Sequence, residues 1–107
     1  MTVKVMDIPE QNGLDRITVF WRNLSEGKGD VTICCYGCAW TSWFGAMGDR
    51  TIEQFFIDAD TYYLTEKFGI TRLLKQNKAH ERYLAKIIDA VKAEIRLNRA
   101  IERVLER

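Results

Sequence analysis

The chain of 107 residues is 47% hydrophobic, 29% charged and 11% aromatic, with seven Gly and a single Pro. That is one domain's worth of foldable sequence, and it excludes low-complexity disorder and a collagen-like repeat. Sixteen Lys and Arg against fifteen Asp and Glu leave a net charge of +1, which excludes binding by bulk charge.

The near-neutral total hides a split. Residues 1–65 hold five basic and nine acidic groups, whereas residues 66–107 hold eleven basic and six acidic ones. Such asymmetry marks a charged binding face, or two solvated faces of one fold that differ in composition.

Val3 and Val5 alternate with Thr2 and Lys4, a short strand ended by Ile8-Pro9. Asn12-Gly13 is a tight-turn signal. Ile17, Val19 and Trp21 then point one way while Thr18, Phe20 and Arg22 point the other, the period of two of a strand. Ser25–Asp30 reads as a flexible hairpin loop, and Val31, Ile33 and Cys35 alternate against Thr32, Cys34 and Tyr36. After Gly37 a further β-like run, Cys38 to Phe44, is rich in Trp and Thr. On such a strand Trp40 and Phe44 share one face and Trp43 takes the other. The expected fold is α+β in a single domain of 107 residues: an antiparallel meander of three to four strands over residues 1–45, then helices over 50–107.

Thr51-Ile52-Glu53-Gln54 fits the capping box that opens a helix. Asp58 or Asp60 starts the next segment, which Gly69 ends as a C′ residue. The last helix is expected at about residues 78–106, because Leu84, Ile87, Ile88, Val91, Ile95, Ile101 and Leu105 recur at three- and four-residue steps. Its ~38 Å or more exceeds the ~20–24 Å of a sheet strand, so its end overhangs the sheet. A seam running from Val91 through Asn98 to Leu105 suggests a homodimer through this helix, with Asn98 setting the register; the alternative is an exposed Asn on a solvated tail.

Three cysteines crowd into Cys34-Cys35-Tyr36-Gly37-Cys38. Cys35 and Cys38 have the spacing of half a zinc knuckle, but four ligands are needed and His80 is the only histidine. The readings are a metal or redox pair, or thiols acting as small apolar residues, and we expect no metal and no cofactor. Gly27-Lys28-Gly29 and Gly45-Ala46-Met47-Gly48 are phosphate cradles or, more simply, chain turns. No nucleophile–base pair stands out, so we expect a protein that is not an enzyme. Two binding candidates remain. Arg72, Lys75, Lys78, Arg82 and Lys86 fall near one helix face and suit a nucleic acid or an acidic partner. Tyr36, Trp40, Trp43 and Phe44 supply aromatic anchors for a protein partner.

The segments Gly27-x-Gly29-Asp30-Val31-Thr32-Ile33, Tyr36-Gly37-x-Ala39-Trp40-Thr41-x-x-Phe44-Gly45-x-Met47-Gly48 and Thr51-Ile52-x-x-Phe55-Phe56 resemble small proteins encoded by tailed phages and prophages. No catalytic residue comes with the resemblance. It implies the cytoplasm of an infected bacterium, in keeping with free cysteines and with the absence of a signal peptide or an apolar run near ~20 residues. It also implies a protein that binds and modulates or inhibits a host complex acting on nucleic acid, such as a nuclease or defence machine, in the manner of an anti-CRISPR. Direct nucleic-acid binding by the basic tract is the alternative expectation.

Overall fold

In the computed structural model, which describes residues 1–69 and 78–106, the alternating segments become a four-stranded antiparallel sheet in the order β1-β2-β3-β4. Its strands are β1 (Thr2–Ile8), β2 (Ile17–Ser25), β3 (Lys28–Cys35) and β4 (Cys38–Phe44). Three helices follow: α1 (Ile52–Asp58), α2 (Thr61–Gly69) and α3 (Lys78–Leu105). The α+β expectation holds, and the run from Cys38 to Phe44 is a full strand.

Tight turns set the register. Asn12 and Gly13 both adopt positive φ (48° and 77°), closing the loop bounded by the Gln11–Leu14 bridge. Tyr36 and Gly37, at φ 52° and 72°, close the β3–β4 hairpin so that Cys35 faces Cys38 directly. Two successive positive φ values match the twist of the flanking strands. The segment expected as a flexible loop, Ser25–Asp30, is instead a two-residue turn: Ser25 pairs with Lys28, and Gly27 takes φ 72° at its corner. A single residue able to turn left-handed makes the longer loop unnecessary.

The pleat sorts the side chains. Ile8, Ile17, Val19, Trp21, Val31, Ile33, Cys35 and Phe44 face the helices and are buried. Against them pack Ile52 and Phe56 of α1, Leu64 and Phe68 of α2, and Leu84, Ile87, Ile88, Val91 and Ile95 of α3. Trp21 meets Phe56 edge to face at 5.2 Å, and Phe56 meets Phe68 at 6.4 Å, geometries that aromatic quadrupoles favour.

The capping box opens α1 as its sequence requires. The Gln54 N–H donates to Thr51 Oγ1 at 3.2 Å, and the Thr51 N–H donates to Gln54 Oε1 at 2.9 Å. Asn23, at a register irregularity in β2, ties this helix start to the sheet. Its Oδ1 accepts from the Ile52 N–H at 2.8 Å, and its Nδ2 donates to Glu53 Oε1 at 2.9 Å. Lys92 of α3 is buried, and its ammonium donates to the Ala59 carbonyl at the C-terminus of α1. Desolvation lowers its pKa.

Candidate functional site

Among the described residues, the three helices pack on one side of the sheet and the other face is open. Its residues follow from the strand register in three rows. Val3, Arg22, Asp30 and Trp43 form the first, Val5, Phe20, Thr32 and Thr41 the second, and Asp7, Thr18, Cys34 and Ala39 the third. Trp43 is 59% exposed, Val5 61%, Val3 56% and Phe20 40%. Large apolar side chains grouped on a solvent-facing sheet mark an interaction surface more than scattered ones do.

Two arginines on this face are matched within it, while exposed Lys28 follows the same pleat at its turn end. The Arg22 guanidinium donates to both carboxylate oxygens of Asp30, and Arg16 to both of Asp7. The Arg16 contact holds the Asp7 carboxyl below its usual range. Between the pairs, the hydroxyls of Thr32 and Thr41 hydrogen-bond across the strands at 2.9 Å. The surface therefore sets exposed Trp43, Phe20, Val3 and Val5 around paired charges and a hydroxyl pair.

Trp43 is held in place. Its indole lies against Gly45, where a Cβ would collide with the ring. The chain then turns back so that the Met47 N–H donates to the Gly27 carbonyl at 3.0 Å, and Met47 is buried. The glycine segments therefore act as turns and close contacts, which is their simpler reading.

Of the anchors expected from sequence, Trp43 and Tyr36 are exposed, while Trp40 is half-buried on the helix side. Phe44 is corrected to a core residue: the pleat turns it inward, where its ring lies 4.9 Å from that of Phe55. Tyr36 and Trp43 stand at opposite ends of the β3–β4 hairpin, ~20 Å apart at 3.3 Å per residue, so they do not form one cluster. Phe20 and the valines of β1 share the open face with Trp43, with Arg22, Asp30, Thr32 and Thr41 between them. The alternation in β2 already pointed Phe20 away from the core. What the sequence does not carry is the strand order that sets it ~12 Å from Trp43.

Arg82 and Lys86 are exposed, one turn apart on α3. Arg72 and Lys75, and the side chain of Lys78, lie outside the described residues, so the basic tract is not assembled here. Asn98 is exposed, as its alternative reading has it, with its Nδ2 4.0 Å from Met6 Sδ at the sheet edge. Cys35 is buried, its thiol 3.8 Å from the Asp15 carbonyl and 3.7 Å from the Tyr83 hydroxyl. Burial pushes that thiol's pKa up, as for a packing residue and unlike a reactive thiol. Among the described residues, no group of three or more His, Cys, Asp or Glu is placed to hold a metal ion, and no helix is long and apolar enough to cross a membrane.

Comparison with known proteins adds one decisive match: residues 1–102 fit a phage protein family, Phage_phiTE_072. The chain belongs to this phage family. Neither the curated proteins nor the solved structures provide a match. The motifs that resemble phage proteins map onto this phage protein's scaffold: the Gly27 and Gly48 turns, the Thr32–Thr41 pair, the Tyr36-Gly37 hairpin, the Thr51 cap and the buried Val31, Ile33, Phe44, Met47, Ile52 and Phe56.

Proposed function

We propose that this phage protein is a non-enzymatic interaction protein that binds and modulates a host complex acting on nucleic acid, and that it does so through the open face of its sheet. The observation that supports this reading is the exposed Trp43, seated against Gly45 and sharing a sheet face with Phe20, Val3 and Val5. With Arg16 and Arg22 engaged by Asp7 and Asp30, this face keeps Lys28 as the cation with no ion pair among the described residues, fewer than a phosphate-binding surface uses. Its contacts suit a protein surface instead, where Trp and Tyr supply most of the binding energy. The reading takes that surface from the host, which a phage protein meets during infection.

The test is affinity capture from a host lysate, followed by binding measurements on whatever is enriched. Trp43→Ala should weaken binding to the captured complex by ~30-fold or more, the effect of removing a hot-spot residue, with an unchanged circular dichroism spectrum. Equal capture by wild type and by a Trp43→Ala/Phe20→Ala double variant would overturn the reading. A gel shift that the double variant retains, steeply weakened by salt, would favour the alternative in which Arg82, Lys86 and the rest of the basic tract bind nucleic acid directly.

A further inference from the structure

The two ends of the sheet differ in what lies beside them. Strand β4 has α2 packed against it, whereas Thr2, Val3, Lys4 and Val5 of β1 are exposed on both faces of the strand. β1 pairs residue for residue with β2 over its seven positions, from Thr2↔Asn23 to Ile8↔Ile17, without a bulge, and contains no proline. Its outer side is thus a straight row of unpaired backbone donors and acceptors, of the kind that natural sheets protect. An inward-pointing lysine is one such protection, but Lys4 is drawn aside to Glu53 at 3.7 Å.

Helix α3 crosses beside this same edge. Its last buried residue is Ile95, and beyond it Asn98, Arg99 and Glu102 face Lys4, Val5 and Met6 across a groove of about 380 Å³ floored by Trp21 and Ile95. The ten residues from Arg96 to Leu105 extend ~15 Å further. They expose Leu97, Ile101, Val104 and Leu105 at 48–80%. On a helix of 3.6 residues per turn these four lie about a third of a turn away from the Leu84–Ile88–Val91–Ile95 stripe. They are therefore a separate apolar stripe and do not continue the contact with the chain's own sheet.

We infer that the free edge of β1 and the projecting end of α3 together form a two-fold interface with a second copy of this chain. A two-fold axis normal to the sheet and passing at Val5 sets Val5 opposite the partner's Val5, Val3 opposite the partner's Asp7 and Lys4 opposite the partner's Met6. Every side chain keeps its face of the pleat, and no like charges meet. A register centred on Lys4 would set two lysines against each other. The same axis brings the two α3 ends antiparallel across the seam, each offering its apolar stripe to the other, as an isologous contact requires. Specific interfaces begin at ~1,200 Å² of buried surface, and a strand seam with a helix contact beside it buries more than either does alone. A foreign extended peptide would pair with β1 but leave Leu97 to Leu105 uncovered. A second copy supplies the strand and the helix at the correct spacing.

Sedimentation velocity on the full chain at micromolar concentration should give twice the 12.5 kDa chain mass. Leu97→Asp/Ile101→Asp, which replaces exposed residues only, should stay folded by circular dichroism and dissociate at least ten-fold more readily. The register is read separately in a Cys34→Ser/Cys38→Ser background. There Val5→Cys should cross-link chain to chain in a glutathione redox buffer, and Val3→Cys should not. A monomeric wild type overturns the proposal. So does a dimer indifferent to Leu97→Asp/Ile101→Asp, or cross-linking no better at position 5 than at position 3. None of these results bears on Trp43.

Discussion

Gly27→Ala isolates a contact that joins the β2–β3 turn to the loop after β4. Gly27 and Gly37 share the same backbone angle, φ +72°, so an added Cβ costs each of them the ~1–2 kcal/mol of a left-handed residue. Their surroundings differ. Around Gly37 nothing lies within 4 Å of the added atom, whereas at Gly27 it would stand 2.6 Å from the Gly48 carbonyl oxygen and 3.2 Å from the Gly48 nitrogen. Both neighbours are backbone, so the loop itself must move. Moving it breaks the hydrogen bond from the Met47 N–H to the Gly27 carbonyl, a loss of ~1 kcal/mol. It also loosens the seat of Met47, which is 1% exposed and whose full burial contributes ~1.5–3 kcal/mol. We expect Gly27→Ala to destabilise by ~3–4 kcal/mol against ~1–2 for Gly37→Ala, a large share of a total stability of ~5–15 kcal/mol. Urea unfolding followed by tryptophan fluorescence, with equal slopes for the two variants, measures the difference. Two variants within ~0.5 kcal/mol of each other would show that the close approach to Gly48 is not what requires glycine at position 27.

Three further outcomes are expected. Tyr36→Asn should raise stability by ~0.5–1 kcal/mol, because Asn tolerates the positive φ that Tyr36 holds at less cost; a drop in the urea midpoint would contradict the turn geometry. Under native alkylation monitored by mass spectrometry, exposed Cys38 should react first, half-buried Cys34 more slowly, and buried Cys35 only after unfolding. Modification of Cys35 in the folded protein would refute its packing role. The Tyr83 phenol is pushed up to about 12 by burial and by its contacts with Cys35 and Asp15. Its contribution to stability is complete below the unfolded value of ~10 and disappears as pH climbs through the folded one. Tyr83→Phe should flatten that alkaline loss. The slope from Lys92, whose lowered pKa has the opposite sign, cancels in the comparison of the two proteins. A wild-type curve parallel to that of Tyr83→Phe would remove the assignment.

Much of the architecture was legible because one-dimensional patterns carry it. The period of two in Ile17–Arg22 oriented β2, the Thr51–Gln54 box placed the start of α1, and the uninterrupted apolar steps marked out α3. The hairpin at Glu26-Gly27 was misread as a longer loop, since Ser, Glu and Lys around two glycines resemble a flexible segment until the strand pairing pulls it tight. Phe44 was read as an anchor because alternation separates Trp43 from Phe44 without saying which of the two faces the helices cover. That depends on which side of the sheet the chain turns to after Gly48. The projection of the α3 end was legible as arithmetic, helix length against strand length. The direction of Asn98 toward Met6 was not, because it depends on the angle at which α3 crosses the sheet.

The pleat also has a consequence for change over generations. Adjacent residues of one strand, such as Trp43 and Phe44 or Phe20 and Trp21, answer to different demands: the inward one to a packed interior, the outward one to solvent or a partner. Within the segments that resemble phage proteins, Val31, Ile33 and Phe44 are inward, while Asp30, Thr32 and Thr41 lie on the open face. Substitution at an outward position such as Trp43 or Phe20 leaves the packed interior as it is, whereas one at Phe44 or Trp21 opens or crowds it. The two faces of a single strand can therefore be varied separately, with a packing cost on one of them only.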